Sequence, residues 1–223
     1  YSGGTLNSSG SYNAGYSAGK SAVPSFWGRS YGAVAFDFDK ITSVIVSGSF
    51  IMYGSSDKTN WAGQGSYSNV TVTKTGDSDG GDNTSFYGTN SGVIAKDGAT
   101  LNIENATITT DATGANGVFS YGGSATTSNS SSDGTTVNIS NSKITTTKDN
   151  SGGIMTTGGG IMNATDLEIT TSGTSSAAIR SDRGGGTVNV DGGTYTTTGQ
   201  GSPTVYSTAN ITVKNATLKA TAS

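Results

Sequence analysis

Cysteine and histidine are absent from the 223 residues, and proline occurs only twice. Without cysteine there is no disulfide framework and no thiol nucleophile. Without either residue there is no ordinary zinc site and no imidazole for acid/base work. Charge is sparse: 12% of residues carry it, for a formal net charge of -3. Lysine and arginine form no cluster, so neither nucleic acid nor an anionic membrane surface is an expected partner. No apolar run reaches the roughly 18 residues of a spanning helix, and membrane insertion is not expected. The first residues lack the basic and apolar regions of a signal peptide. The chain therefore reads as a mature secreted piece or as part of something longer.

Large apolar residues are scarce too. Leu, Ile, Val and Phe make up about 16% of the chain, under the rough 20% mark that accompanies disorder. Disorder also requires strong self-repulsion, which so small a net charge does not supply. Helical periodicity is missing from every window of about 11 to 18 residues. What remains is Gly, Ser, Thr and Asn around short alternating runs of β-branched residues, the pattern of half-buried strands between tight turns. The class is all-β.

The runs repeat. LNIENATITT, VNISNSKITT, MNATDLEITT, VNVDGGTYTT and ITVKNATLKA begin at Leu101, Val137, Met162, Val188 and Ile211. A buried marker falls at Ile108, Ile144, Ile169, Tyr195 and Leu218, and Val72 and Ile51 extend the series backwards with spacings of 21 to 36 residues. Alternation points Leu101 and Ile103 and their counterparts inward, with Asn102, Asn138, Asn163 and Asn189 outward between them. A turn column follows at Asn105, Asn141, Asp166, Gly192 and Asn215, residue types that accept left-handed backbone angles. After the second strand and a short loop, a third strand buries Val93, Val118, Ile154, Ile179 and Val205. Three strands and a return make a coil. Coils stacked about 4.8 Å apart bury together what one coil cannot. The predicted fold is a right-handed, single-stranded parallel β-helix of about seven coils, its hand following from the preference of parallel crossovers. Residues 43–223 form the repeats, and residues 1–42 an N-terminal cap or irregular segment with part of the first coil.

On the stretches ATLNIENATITT and GTVNVDGGTYTT, residues 43–223 resemble the adhesin-like and pectate-lyase-like parallel β-helix proteins of bacterial surfaces. That resemblance implies a secreted or cell-surface location. For activity it implies a choice, because such folds carry lyases, hydrolases, tailspikes and plain adhesins alike.

The residues favour a non-catalytic reading. Polysaccharide cleavage calls for paired or convergent carboxylates with a base. Only Asp37 with Asp39, on one strand face, and Arg180 with Asp182 and Arg183 come near to that. No cofactor is required. The acidic loop TGDSDGGDN places Asp77, Asp79 and Asp82 where several oxygens can wrap Ca²⁺ in a structural role. Thr145 with Thr147, Thr170 with Ser172, and Thr196 with Thr198 would stand in outward columns, an array able to order water or bind ice. In the third strand the outward row is Ile94, Phe119, Met155, Arg180 and Tyr206, oddly apolar for a surface. Left open, it offers ring faces to a glycan or a protein. Covered, it lies under the loop Lys74 to Asn90 or the segment Tyr121 to Gly134. The expected function is adhesion through a glycan or a cell-surface protein. A structural role by self-association through the coil ends stands as the alternative.

Overall fold

The computed structural model describes residues 5–10, 43–48, 51–53, 64–78, 81, 86–123 and 131–221, with side-chain surroundings from Ser68 onward. Most of the predicted cap, with Asp37 and Asp39, lies outside those residues. Its described part, β1 (Thr5–Gly10), pairs in parallel with β2 (Ser43–Gly48).

Eighteen strands then follow three to a rung. The first rung holds β3 (Ile51–Tyr53), β4 (Gln64–Ser68) and β5 (Thr71–Thr75), and the second β6 (Val93–Lys96), β7 (Thr100–Glu104) and β8 (Thr107–Asp111). The third holds β9 (Val118–Tyr121), β10 (Thr136–Ser140) and β11 (Lys143–Thr146), and the fourth β12 (Ile154–Thr157), β13 (Gly160–Thr165) and β14 (Glu168–Thr171). The fifth holds β15 (Ile179–Ser181), β16 (Gly186–Asp191) and β17 (Thr194–Thr197), and the last β18 (Val205–Tyr206), β19 (Asn210–Lys214) and β20 (Thr217–Ala220). Like strands stack into three six-stranded sheets, β4 to β19, β5 to β20 and β3 to β18, here called the first, second and third sheets. Every pairing is parallel, as in β7 with β10, β8 with β11 and β9 with β12. The chain is an all-β parallel β-helix.

Register keeps like residues in columns. Leu101, Val137, Met162 and Val188 lie one above another, as do Ile103, Ile139, Ala164 and Val190, and all are buried. Against them pack Ile108, Ile144, Ile169 and Tyr195 of the second sheet and Val93, Val118, Ile154 and Ile179 of the third. One expected member does not belong. Ile51 pairs with Ile94 in the third sheet, whereas Val72 pairs with Ile108 in the second. The spacing from Ile51 to Val72 is therefore not a rung length. Apolar alternation at Ile51 fits a strand in either sheet, and register alone separates the two.

Between the first and second sheets the chain turns through one left-handed residue per rung. Asn69, Asn105, Asn141, Asp166, Gly192 and Asn215 have φ of 56°, 54°, 49°, 50°, 77° and 51°. Their N–H groups stay in the ladder: that of Asn105 donates to the Ser140 carbonyl and that of Asn141 to the Thr165 carbonyl.

The corner between the second and third sheets is held from inside. Thr146, Thr171 and Thr197 end their second-sheet strands and Thr110 stands one before the end of its own; all four point inward and are fully buried. Each hydroxyl donates to the carbonyl five residues on, at Ala115 (2.8 Å), Ser151, Ser176 (2.5 Å) and Ser202 (2.6 Å). The serines link the rungs. Ser151, Ser176 and Ser202 Oγ accept the N–H of Ala115, Ser151 and Ser176 at 3.0, 3.0 and 2.8 Å. Buried hydroxyls without partners would be costly; stacked in this way each satisfies a backbone group.

Candidate functional site

The outward row of the third sheet divides in two. Ile94, Phe119 and Met155 are fully buried and form a small second core, with Phe86 and Tyr121 packed on it. The covering chain comes from the loop before β6. Thr157 Oγ1 donates to the Phe86 carbonyl at 2.6 Å, and the Arg183 guanidinium lies 3.7 Å from the centre of the Phe86 ring. The rings of Tyr87 and Tyr121 meet edge to face at 5.2 Å. Gly88, at φ 71°, lies flat on Phe119, and a β-carbon there would sit 2.5 Å from the ring. These three residues are therefore packing, which corrects their reading as an exposed binding stripe and fits the alternative of a cover from the loop Lys74 to Asn90. An apolar row one coil apart recruits a cover because leaving it in water forfeits its hydrophobic burial.

Arg180 and Tyr206 lie beyond the cover. Tyr206 is 44% exposed, with the Arg180 guanidinium 5.3 Å from its ring centre. Arg180 donates through Nε and Nη2 to Asp182 Oδ2 at 3.2 and 2.5 Å, so the pair is locally neutral. The other Asp182 oxygen accepts the Arg183 N–H at 2.8 Å. This cluster has the polar equipment for recognition, but its carboxylate is committed twice over.

Of the acidic loop, Asp79 and Asp82 fall outside the described residues. Asp77 Oδ1 accepts the Thr113 N–H at 2.7 Å, a bond repeated two rungs later by Asp149 and the Thr174 N–H at 2.8 Å. Among the described residues no group of three or more potential metal ligands occurs.

Two broad outer faces remain. On the second sheet Thr73, Thr109, Thr145, Thr170 and Thr196 form one column. Charged pairs break up its margins, Lys143 with Glu168 at 2.5 Å and Lys148 with Asp111 at 3.4 Å. The first sheet carries a more ordered feature. Asn138 Nδ2 donates to Asn102 Oδ1, Asn163 to Asn138 and Asn189 to Asn163, at 2.8, 2.8 and 2.9 Å. This asparagine ladder runs into a shallow depression of about 210 Å³ lined by Asn163, Thr165, Asn189, Asp191, Thr212 and Lys214. Asp191 Oδ1 there accepts a bond from Asn215 Nδ2 at 2.7 Å. The sequence places these asparagines on the outer face. That they bond to one another follows only from parallel, in-register stacking, and the depression has no local sequence signal.

No family model matches the chain, and no curated protein or solved structure matches it. What defines the molecule is the architecture itself, a parallel β-helix with, among the described residues, one partly covered and two uncovered lateral faces.

Proposed function

We propose that this is an extracellular, non-catalytic binding module whose open first-sheet face holds a glycan along the coil axis. The asparagine ladder carries the reading. Asn138 and Asn163 each donate one of their two N–H groups to the rung before and accept one bond from the rung after, which leaves each of them a second N–H and a second acceptor site for a ligand. The result is a row of rigid, evenly spaced donors and acceptors, matched to a ligand rich in hydroxyl groups. The depression at its end is smaller than the roughly 300–1,000 Å³ of enclosed small-molecule pockets, which suits a chain lying on the surface. Asp191 and Lys214 add one charge of each sign at the rim. The absence of histidine and cysteine, with Asp182 and Asp191 tied into side-chain bonds, supports binding without chemistry.

A glycan array followed by calorimetry tests this. Binding that Asn163→Ala and Asn189→Ala weaken by tenfold or more, with Tyr206→Ser neutral, is the expected result. Loss in Tyr206→Ser alone would move the site to the third sheet, and no binding by the wild type would end the proposal.

A further inference from the structure

The asparagine ladder stops one rung short of the last described rung. Its column reads Asn102, Asn138, Asn163, Asn189 and then Thr212, each in register with the next. Every bond in it runs the same way, from the Nδ2 of the later rung to the Oδ1 of the earlier one. Asn189 thus donates to Asn163, and its own Oδ1 awaits a donor from the last rung. Threonine lacks the carboxamide that would supply one. Among the described residues Asn189 Oδ1 accepts no bond.

The depression lies at that vacancy. Its lining takes in Asn163 and Asn189 of the ladder, Thr212 at the missing place, and Thr165, Asp191 and Lys214 of the neighbouring outward column. Aligned hydrogen bonds polarise one another, so the oxygen at the open end of the ladder is a stronger acceptor than a lone amide. Lys214 forms no ion pair among the described residues, and the Asp191 carboxylate beside it is bonded to Asn215. The vacancy therefore offers a strong acceptor, an ammonium donor and the methyl group of Thr212. A planar group that donates one N–H, accepts through a carbonyl and carries a methyl matches all three. That group is a secondary acetamide. A hydroxyl could satisfy Asn189 but would not fill the place of a carboxamide.

Resting on the reading of this face as a glycan site, we infer that the glycan carries an N-acetylated aminosugar whose acetamido group seats over Thr212 as the fifth amide of the ladder. Its N–H donates to Asn189 Oδ1, its carbonyl accepts from the Lys214 ammonium, and its methyl meets the threonine methyl. The rest of the glycan follows the ladder back over Asn163 and Asn138, whose rungs repeat about every 4.8 Å.

Calorimetry of the whole chain tests this with three oligosaccharides of one backbone and linkage, built from N-acetylglucosamine, glucosamine or glucose, which differ only in the group on the second ring carbon. The acetylated oligomer should bind about tenfold or more tighter than either of the others, the worth of one well-made hydrogen bond. Thr212→Asn should erase that preference, because the variant supplies the fifth amide itself, while its melting temperature holds or rises. Asn189→Ala should erase it as well. Glucose oligomers bound as tightly as the acetylated one, with binding still lost in Asn163→Ala, would overturn the acetamido assignment and leave the glycan reading standing. Tighter binding of the glucosamine oligomer would overturn it in favour of an ammonium drawn to Asp191. A preference that survives Thr212→Asn in a variant that melts normally would also overturn it. No binding by any of the three ends this assignment, and a blank glycan array ends the glycan reading with it.

Discussion

Tyr195 fills a place in the main core that isoleucine holds in the three rungs below it, and its hydroxyl has no hydrogen-bond partner. A buried, unmade hydrogen bond costs about 1–3 kcal/mol, so Tyr195→Phe should raise stability by about 1 kcal/mol or more in urea titration. Unchanged or lower stability would place a partner on the oxygen. Burial, with a smaller contribution from Asp166, also pushes the Tyr195 pKa well up. The folded state then keeps a proton that the unfolded chain releases near pH 10, and stability falls as pH rises past that point. Melting curves between about pH 9 and 11 should show this fall reduced in Tyr195→Phe. At the same scale Phe119 and Tyr206 part company. Phe119→Ser should cost about 3 kcal/mol or more through the second core, and Tyr206→Ser less than about 0.5. Equal effects would mean that the covering chain does not seal the row.

Strands and turns are where the sequence was most legible. Period-two alternation marked the buried columns, and asparagine, aspartate or glycine marked the left-handed corner, because both follow from backbone sterics acting within a few residues. Asn141→Val should lower stability by about 1–2 kcal/mol, since a β-branched residue resists the φ of 49° found there. Gly192→Val should lower it further, because even a β-carbon at that site would come within 2.0 Å of Asp166 Oδ1. Thermal melts that leave both variants unchanged would contradict the strain. The covering segment was harder to see. Phe86 and Tyr87 sit in a glycine-rich stretch without periodicity, and only the apolar row beneath hinted at a lid. The Thr–Ser corner also escaped notice. Its five-residue spacing is visible in TTKDNS and TTSGTSS, but threonine at a strand end reads equally well as surface.

At the level of the whole molecule the strands of each rung pair only with those of the neighbouring rungs, so stability adds rung by rung except under the covering loop, whose Phe86 reaches Thr157 and Arg183. Residues 163–188 run from one ladder asparagine to the position before the next, and Asn163 pairs with Asn189. Their removal should leave a shorter β-helix that still melts cooperatively, whereas collapse to an unfolded chain would show that the stack behaves as one closed unit. Stacking was legible from the period, and the covered face as one of two alternatives from the apolar row itself; the depression was not, since it depends on which side chains neighbouring rungs bring together. The Thr–Ser corner carries one more consequence, in the currency of chain length. Thr110, Thr146, Thr171 and Thr197 all reach the carbonyl five residues on, so that corner acts as a ruler, and it lengthens only where Lys74 replaces threonine. The opposite corner, between the third and first sheets, has no such gauge and ranges from the tight Gly158–Gly159 pair to the long excursion between β9 and β10. New sequence can therefore enter this architecture at the glycine corner without disturbing a single column, and a flexible insert after Gly158 should be tolerated where the same insert after Gly173 is not.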